Sequence, residues 1–142
     1  MKTAAAPQPN SPRTWGLMCP GSREEVSRAR RWARDILSGH PCVDDAELIV
    51  SELGSNAVTH TASGGDFGAF HLTLSLSPQT VAISVSDDGG RPEPRLTEAD
   101  PYDTHGRGLS IVMALACRLD ITGSKHGRTV TAQLVAPQKA DQ

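Results

Sequence analysis

The sequence predicts one α/β domain of the α+β kind, and three observations carry that expectation. Two stretches in the first half place apolar residues at helical spacing. Two adjoining segments then alternate apolar and polar residues, as half-buried strands do. A short apolar helix and a closing strand pair complete the pattern, and 142 residues suffice to bury one core.

The elements follow in order. Residues 1–13 are polar and rich in proline and alanine, which predicts a disordered tail. Thr14–Cys19 can form a short edge strand, and Pro20-Gly21-Ser22 turns the chain. Ser22 with Glu25 has the spacing of a capping box, opening a helix to about Ser38 that Gly39 ends. Its core stripe is Val26, Ala29, Ala33, Ile36 and Leu37; its outer face carries Arg23, Arg28, Arg30, Arg31 and Arg34. That face reads either as solvated or as a contact for a partner or phosphate. Asp44 or Asp45 starts a second helix through about Thr61, with Val43, Ala46, Ile49, Val50, Leu53 and Ala57 on one stripe. Strands are expected over Ala69–Leu76 and Thr80–Ser86, joined by Ser77-Pro78-Gln79. Asp87 to His105 is almost free of apolar residues and holds three prolines, so a mobile segment is expected there. A helix from about Gly108 to Ala116 and a hairpin of Leu119–Gly123 with Thr129–Val135 follow, and residues 137–142 form a polar tail.

Composition narrows the function. A net charge of −2 gives no electrostatic footprint for nucleic acid or an acidic membrane. No apolar run approaches the ~18–20 residues of a membrane span and no signal peptide is visible, so a cytoplasmic protein is expected. Three cysteines without CxxC spacing read as reduced structural thiols.

Three polar clusters carry chemistry. Glu52, Asn56 and His60 form a nearly axial row on the second helix, at about 40° per step. With Ala46 at the centre of the apolar stripe, Asn56 lies about 80° and His60 about 40° off it, directed at a half-buried seam. Such groups need partners, which a bound cation, a water network or a satisfied helix edge can supply. Asp87-Asp88-Gly89-Gly90 stands at a strand end, where a carboxylate can accept from an amino group and glycine admits a flat ligand; an ordinary Asp-Gly turn is the alternative. Gly106-Arg107-Gly108-Leu109 opens the last helix as an anion site or as a plain hinge, and it is not a Walker A loop.

Together these clusters resemble the boxes of the GHKL ATPase superfamily, which includes gyrase, a heat-shock chaperone, histidine kinases and a mismatch-repair protein. Glu52-Leu-Gly-Ser-Asn56-Ala-Val-Thr-His60 matches the N box, Val85-Ser-Asp87-Asp-Gly89-Gly90 the G1 box, and His105-Gly106-Arg107-Gly108-Leu109 the G2 box. Lys125-His-Gly127-Arg-Thr129 resembles the final Gly-Thr strand. More closely, the chain looks like small actinobacterial ATP-binding regulators related to anti-sigma-factor serine kinases. Coverage runs from about Trp15 to Val135, within a domain spanning 14–136.

The resemblance implies the Bergerat fold, a two-layer sandwich of a mixed, mostly antiparallel sheet covered on one face by helices. It implies ATP and Mg²⁺ as cofactors, with Asn56 on the metal, Asp87 on the adenine amino group, and Gly89 allowing close approach. Thr129 would join the adenine network. Gly106 and Gly108 would offer N–H groups to phosphates with Arg107 adding charge and Leu109 beside them, and about 91–105 would be the ATP lid. Glu52 would be the catalytic base, and His60 receives no chemical step. The implied activity is a protein serine/threonine kinase acting on a STAS-domain anti-anti-sigma partner and holding a sigma factor. The alternative is an ATP-dependent partner switch with little or no kinase activity. Homodimers are common among such relatives, and the Thr14–Cys19 strand and first helix are the elements able to serve one; no nucleic acid or membrane contact is implied. A dimerising phosphoacceptor helix and a phosphorylatable histidine box are missing from this sequence, which argues against a sensor histidine kinase.

Overall fold

A computed structural model describes residues 12–60, 68–88, 104–124 and 127–137, without the side chains of residues 60 and 104–108. Most of the expected tails, Gly89, most of the lid and the tip of the last hairpin lie outside the described residues, while Arg13, expected in the first tail, opens a strand.

Alternation builds the sheet. Strand β1 is Arg13–Pro20, β2 Ala69–Leu76, β3 Thr80–Asp87, β4 Arg118–Ser124 and β5 Gly127–Val135. They form a five-stranded sheet in the order β1-β2-β3-β5-β4, and every pairing is antiparallel. The parallel component that a mixed sheet would contain is therefore absent among the described strands. In β3 the buried positions are Val81, Ile83, Val85 and Asp87, and in β5 Val130, Ala132 and Leu134. Phe70, Leu72 and Leu74 of β2 extend the same face. The opposite face is polar: Ser84 bonds Thr131 and Ser86 bonds Thr129, each at 2.8 Å between hydroxyl oxygens. One buried face and one hydroxyl-rich face are what period-two patterning produces.

The helical layer packs on the buried face. Helix α1 runs Arg23–Ile36, α2 Val43–His60 and α3 Thr104–Leu115. Ala46, Ile49, Val50, Leu53 and Ala57 of α2 are all at most 3% exposed and join the sheet residues in one core. Gly54 lets α1 approach α2 closely, since a Cβ there would sit 3.3 Å from Val26 Cγ1. Among the described residues, no helix is long and apolar enough to cross a membrane.

Several local expectations change. Ser22 is the N-cap of α1 but makes no side-chain capping bond. Glu25 instead accepts from Arg28 at 2.8 Å, so the capping box does not form. The arginine face is largely committed to carboxylates: Arg34 pairs with Asp44 at 3.2 Å and with Glu47, and Arg30 approaches Glu47 at 3.5 Å. These exposed pairs tie α1 to α2 and contribute roughly 0–1 kcal/mol each. Cys19 and Cys42 are buried free thiols, whereas Cys117 is exposed. Burial pushes the Cys19 thiol up to about 11 and raises that of Cys42.

Candidate functional site

One residue from each polar cluster, Asn56 of α2, Asp87 at the end of β3 and Leu109 of α3, lines a common cleft. Along α2, Asn56 is 8% exposed, while Glu52, one turn earlier, is half-buried. Helix periodicity explains the difference, because each step of four residues rotates the row further toward the core. The His60 side chain lies outside the described residues. At the end of β3, Asp87 continues the inward phase of Val81, Ile83 and Val85, leaving its side chain 3% exposed. Asp88 points elsewhere: its carboxylate accepts from the Ala69 N–H at 3.3 Å and so holds the end of β3 to the start of β2.

Between these groups lies a narrow cleft, partly open to solvent. Leu53 and Ala57 of α2, Val85 of β3 and Val130 of β5 make its apolar walls, with Leu109 and Ile121 completing them. Among the described residues, three polar side chains reach it: Asn56, Asp87 and Arg128. A mostly apolar cleft with a few convergent polar groups is the usual form of a small-molecule site.

Arg128 is the residue the sequence reading missed. It lies directly across from Asp87 in the β3–β5 ladder, with Nε 3.6 Å from Asp87 Oδ2. That is an ion-pair distance without a hydrogen bond, and among the described residues Arg128 Nε is buried with no hydrogen-bond partner. An unsatisfied buried donor costs roughly 1–3 kcal/mol. Strand phase is the signal that could have found it: with Val130, Ala132 and Leu134 inward, Arg128 is inward and Thr129 outward.

Thr129 is accordingly displaced from its expected place. It pairs with Ser86 on the opposite face of the sheet, hydroxyl to hydroxyl, and does not line the cavity.

The last helix also differs. It begins at Thr104, one turn before the expected start near Gly108. Gly106, expected just before the helix, is helical together with Gly108, expected at its start. Gly106, third in the helix, is among the leading N–H groups that have no intrahelical acceptor. Gly108, fifth, has its N–H in the helical ladder and is not a free donor in this conformation. The side chain of Arg107 lies outside the described residues. Val112 is fully buried and anchors α3, while Leu109 reaches the cavity.

Among the described residues no group of three or more His, Cys, Asp or Glu could hold a metal ion. A Mg²⁺ ion here would take Asn56 as a side-chain ligand and draw the others from phosphates and water, as this reluctantly dehydrated cation commonly does.

Fold and cleft together define an α+β domain with a polar-lined seam between its helical layer and the inner face of its sheet. The model of the histidine kinase-like ATPase domain matches residues 19–134, and the chain belongs to that family. Among solved structures, the chain resembles the RsbU and RsbW domains of Rv1364c from Mycobacterium tuberculosis. The TM-score is 0.67 at 19% identity, over 89% of this chain and 33% of that one. This likeness concerns the fold, and the chain spans about a third of the length of that structure. No curated protein is matched.

Proposed function

We propose that this domain binds ATP with Mg²⁺ and acts as a protein serine/threonine kinase of the anti-sigma type, its substrate a serine on a STAS-domain partner. One observation carries the binding half: two buried polar side chains from distant segments, Asn56 and Asp87, converge on one apolar cleft. Asp87 suits the adenine amino group, being an acceptor at the closed end of a strand. Asn56 suits the cation through its amide oxygen. The first turn of α3 offers free N–H groups to phosphate, with Gly106 among them, and ATP supplies the γ-phosphoryl group. Gly89, Arg107 and the segment of about 91–105 keep their roles as backbone approach, phosphate charge and lid in this proposal.

Glu52 stands one turn from Asn56 on the same face of α2, half-exposed and outside the apolar cleft. In the kinase reading it accepts the proton of the attacking serine hydroxyl while the bond to the ADP leaving group breaks; positioning and electrostatics do the rest. Regulation of a sigma factor by partner exchange in a cytoplasmic setting belongs to the same proposal.

The test mixes the protein with γ-labelled ATP, Mg²⁺ and candidate STAS-domain proteins, and measures nucleotide affinity in the same samples. Label on a partner serine with wild type, lost in Glu52→Ala while ATP still binds, supports the kinase. Binding without transfer to any partner replaces it with a nucleotide-dependent binding switch. Unchanged affinity in Asp87→Asn removes the adenine assignment.

A further inference from the structure

We propose that Arg128 reads the base directly, forming with Asp87 a two-residue clamp on the Watson–Crick edge of adenine. This rests on the ATP-binding reading above. Arg128 Nε is buried, makes no hydrogen bond among the described residues, and lines the same cleft as Asp87. Its 3.6 Å separation from Asp87 Oδ2 is too long for a hydrogen bond between them. The spacing suits two groups meeting neighbouring atoms on one ring edge.

The chemistry of that edge matches the pair. Adenine presents an amino donor at N6 and, next to it, an acceptor at ring nitrogen N1. The Asp87 carboxylate offers an acceptor and the Arg128 guanidinium only donors, so the pair sets one acceptor beside one donor. Asp87 takes the N6 amino hydrogen, and Arg128 donates to N1. The register fixes this arrangement: Asp87 and Arg128 are direct cross-strand partners between β3 and β5, with side chains on the same sheet face. Ile121 of β4, 50% exposed, offers an apolar wall for the ring and is paired with Val130 two positions beyond Arg128. Arg128 itself is one-third exposed, although its Nε is buried.

The experiment compares ATP with 1-deaza-ATP, which keeps the N6 amino group but has carbon in place of N1. Affinities are measured by calorimetry on wild type and on Arg128→Ala. Wild type is expected to bind 1-deaza-ATP roughly ten- to a hundredfold more weakly than ATP, as for a lost hydrogen bond to a charged donor. Arg128→Ala is expected to bind ATP more weakly by a similar factor and to bind the two nucleotides alike, the two losses being one interaction. Equal affinity of wild type for both nucleotides overturns the clamp, as does a 1-deaza penalty that persists in Arg128→Ala. Tighter ATP binding by Arg128→Ala also overturns it, by showing that the guanidinium obstructs the cleft. The wild-type comparison does not depend on the variant folding. If wild type binds no ATP at all, the nucleotide reading falls and the clamp with it. If ATP binds in an Asp87-dependent way without N1 dependence, the clamp alone fails.

Discussion

Replacing Gly123 by alanine should cost far more than the same change at Gly39, although both glycines have positive φ. At Gly39 φ is +83° and an added Cβ would meet nothing within 4 Å. Only the backbone penalty applies there, about 1–2 kcal/mol for an L-residue in a left-handed conformation. At Gly123 φ is +118°, and the same Cβ would overlap the Gly127 carbonyl oxygen and stand 2.7 Å from Arg128 Cα. Those atoms are backbone and cannot rotate away, so the β4–β5 pairing Gly123↔Arg128 must open. Adding an overpacking cost of about 1–3 kcal/mol to the backbone cost gives roughly 2–5 kcal/mol for Gly123→Ala. At this chain length about 1 kcal/mol moves the melting temperature by roughly 3 °C. Gly39→Ala should therefore melt roughly 3–6 °C below wild type, and Gly123→Ala roughly 6–15 °C below it. Because Arg128 rides on the displaced backbone, Gly123→Ala should also weaken ATP binding at temperatures where it remains folded. Calorimetric melting and titration of the two variants side by side decide the matter. Equal melting temperatures for both would refute the close approach of β4 and β5 that the reasoning uses.

Thr129→Val should lose the hydroxyl bond to Ser86, costing roughly 0.5–1.5 kcal/mol in urea unfolding, and leave ATP affinity at the wild-type value. A fall in affinity would return Thr129 to the site. Leu53→Ala, 3% exposed and shared between core and cleft, should cost roughly 2–5 kcal/mol in the same assay. A loss under 1 kcal/mol would mean the cleft collapses without penalty. Cys19 makes stability fall with alkali: burial lifts its thiol from an ordinary 9.0 to about 11, so between those values the unfolded chain has released a proton that the native one keeps. Its contribution is intact below 9.0 and is lost as pH rises toward about 11. The stability difference between wild type and Cys19→Ala should shift against wild type across that window, and a flat difference would sink the assignment.

Much of the fold was legible because its signals are local. Strand β2 has the bounds that alternation marked, and α2 buries the stripe centred on Ala46. The row arithmetic on α2 also holds: Asn56 turns into the core while Glu52 remains half-exposed. What escaped was decided by competition between groups or by phase. Ser22 and Glu25 have capping-box spacing, but Arg28 takes the carboxylate. The helix was expected to start near Gly108, yet it starts at Thr104, with Leu109 and Val112 packed against the core. Thr129 was placed by resemblance of a short motif, and strand parity puts its neighbour Arg128 in the cleft instead.

Strand β5 is the last described strand in sequence, yet in space it lies between β3 and β4. During synthesis the ribosome releases α1, α2 and the first three strands while the flank of β3 that will receive β5 is still bare. The carboxylate of Asp87 must then wait for Arg128, which arrives on that final insertion. Completion of the sheet and completion of the cleft are thus one event. Ligand added to a nascent or partly unfolded chain should find no finished binding surface, and ligand bound to the finished chain should hold β5 in place.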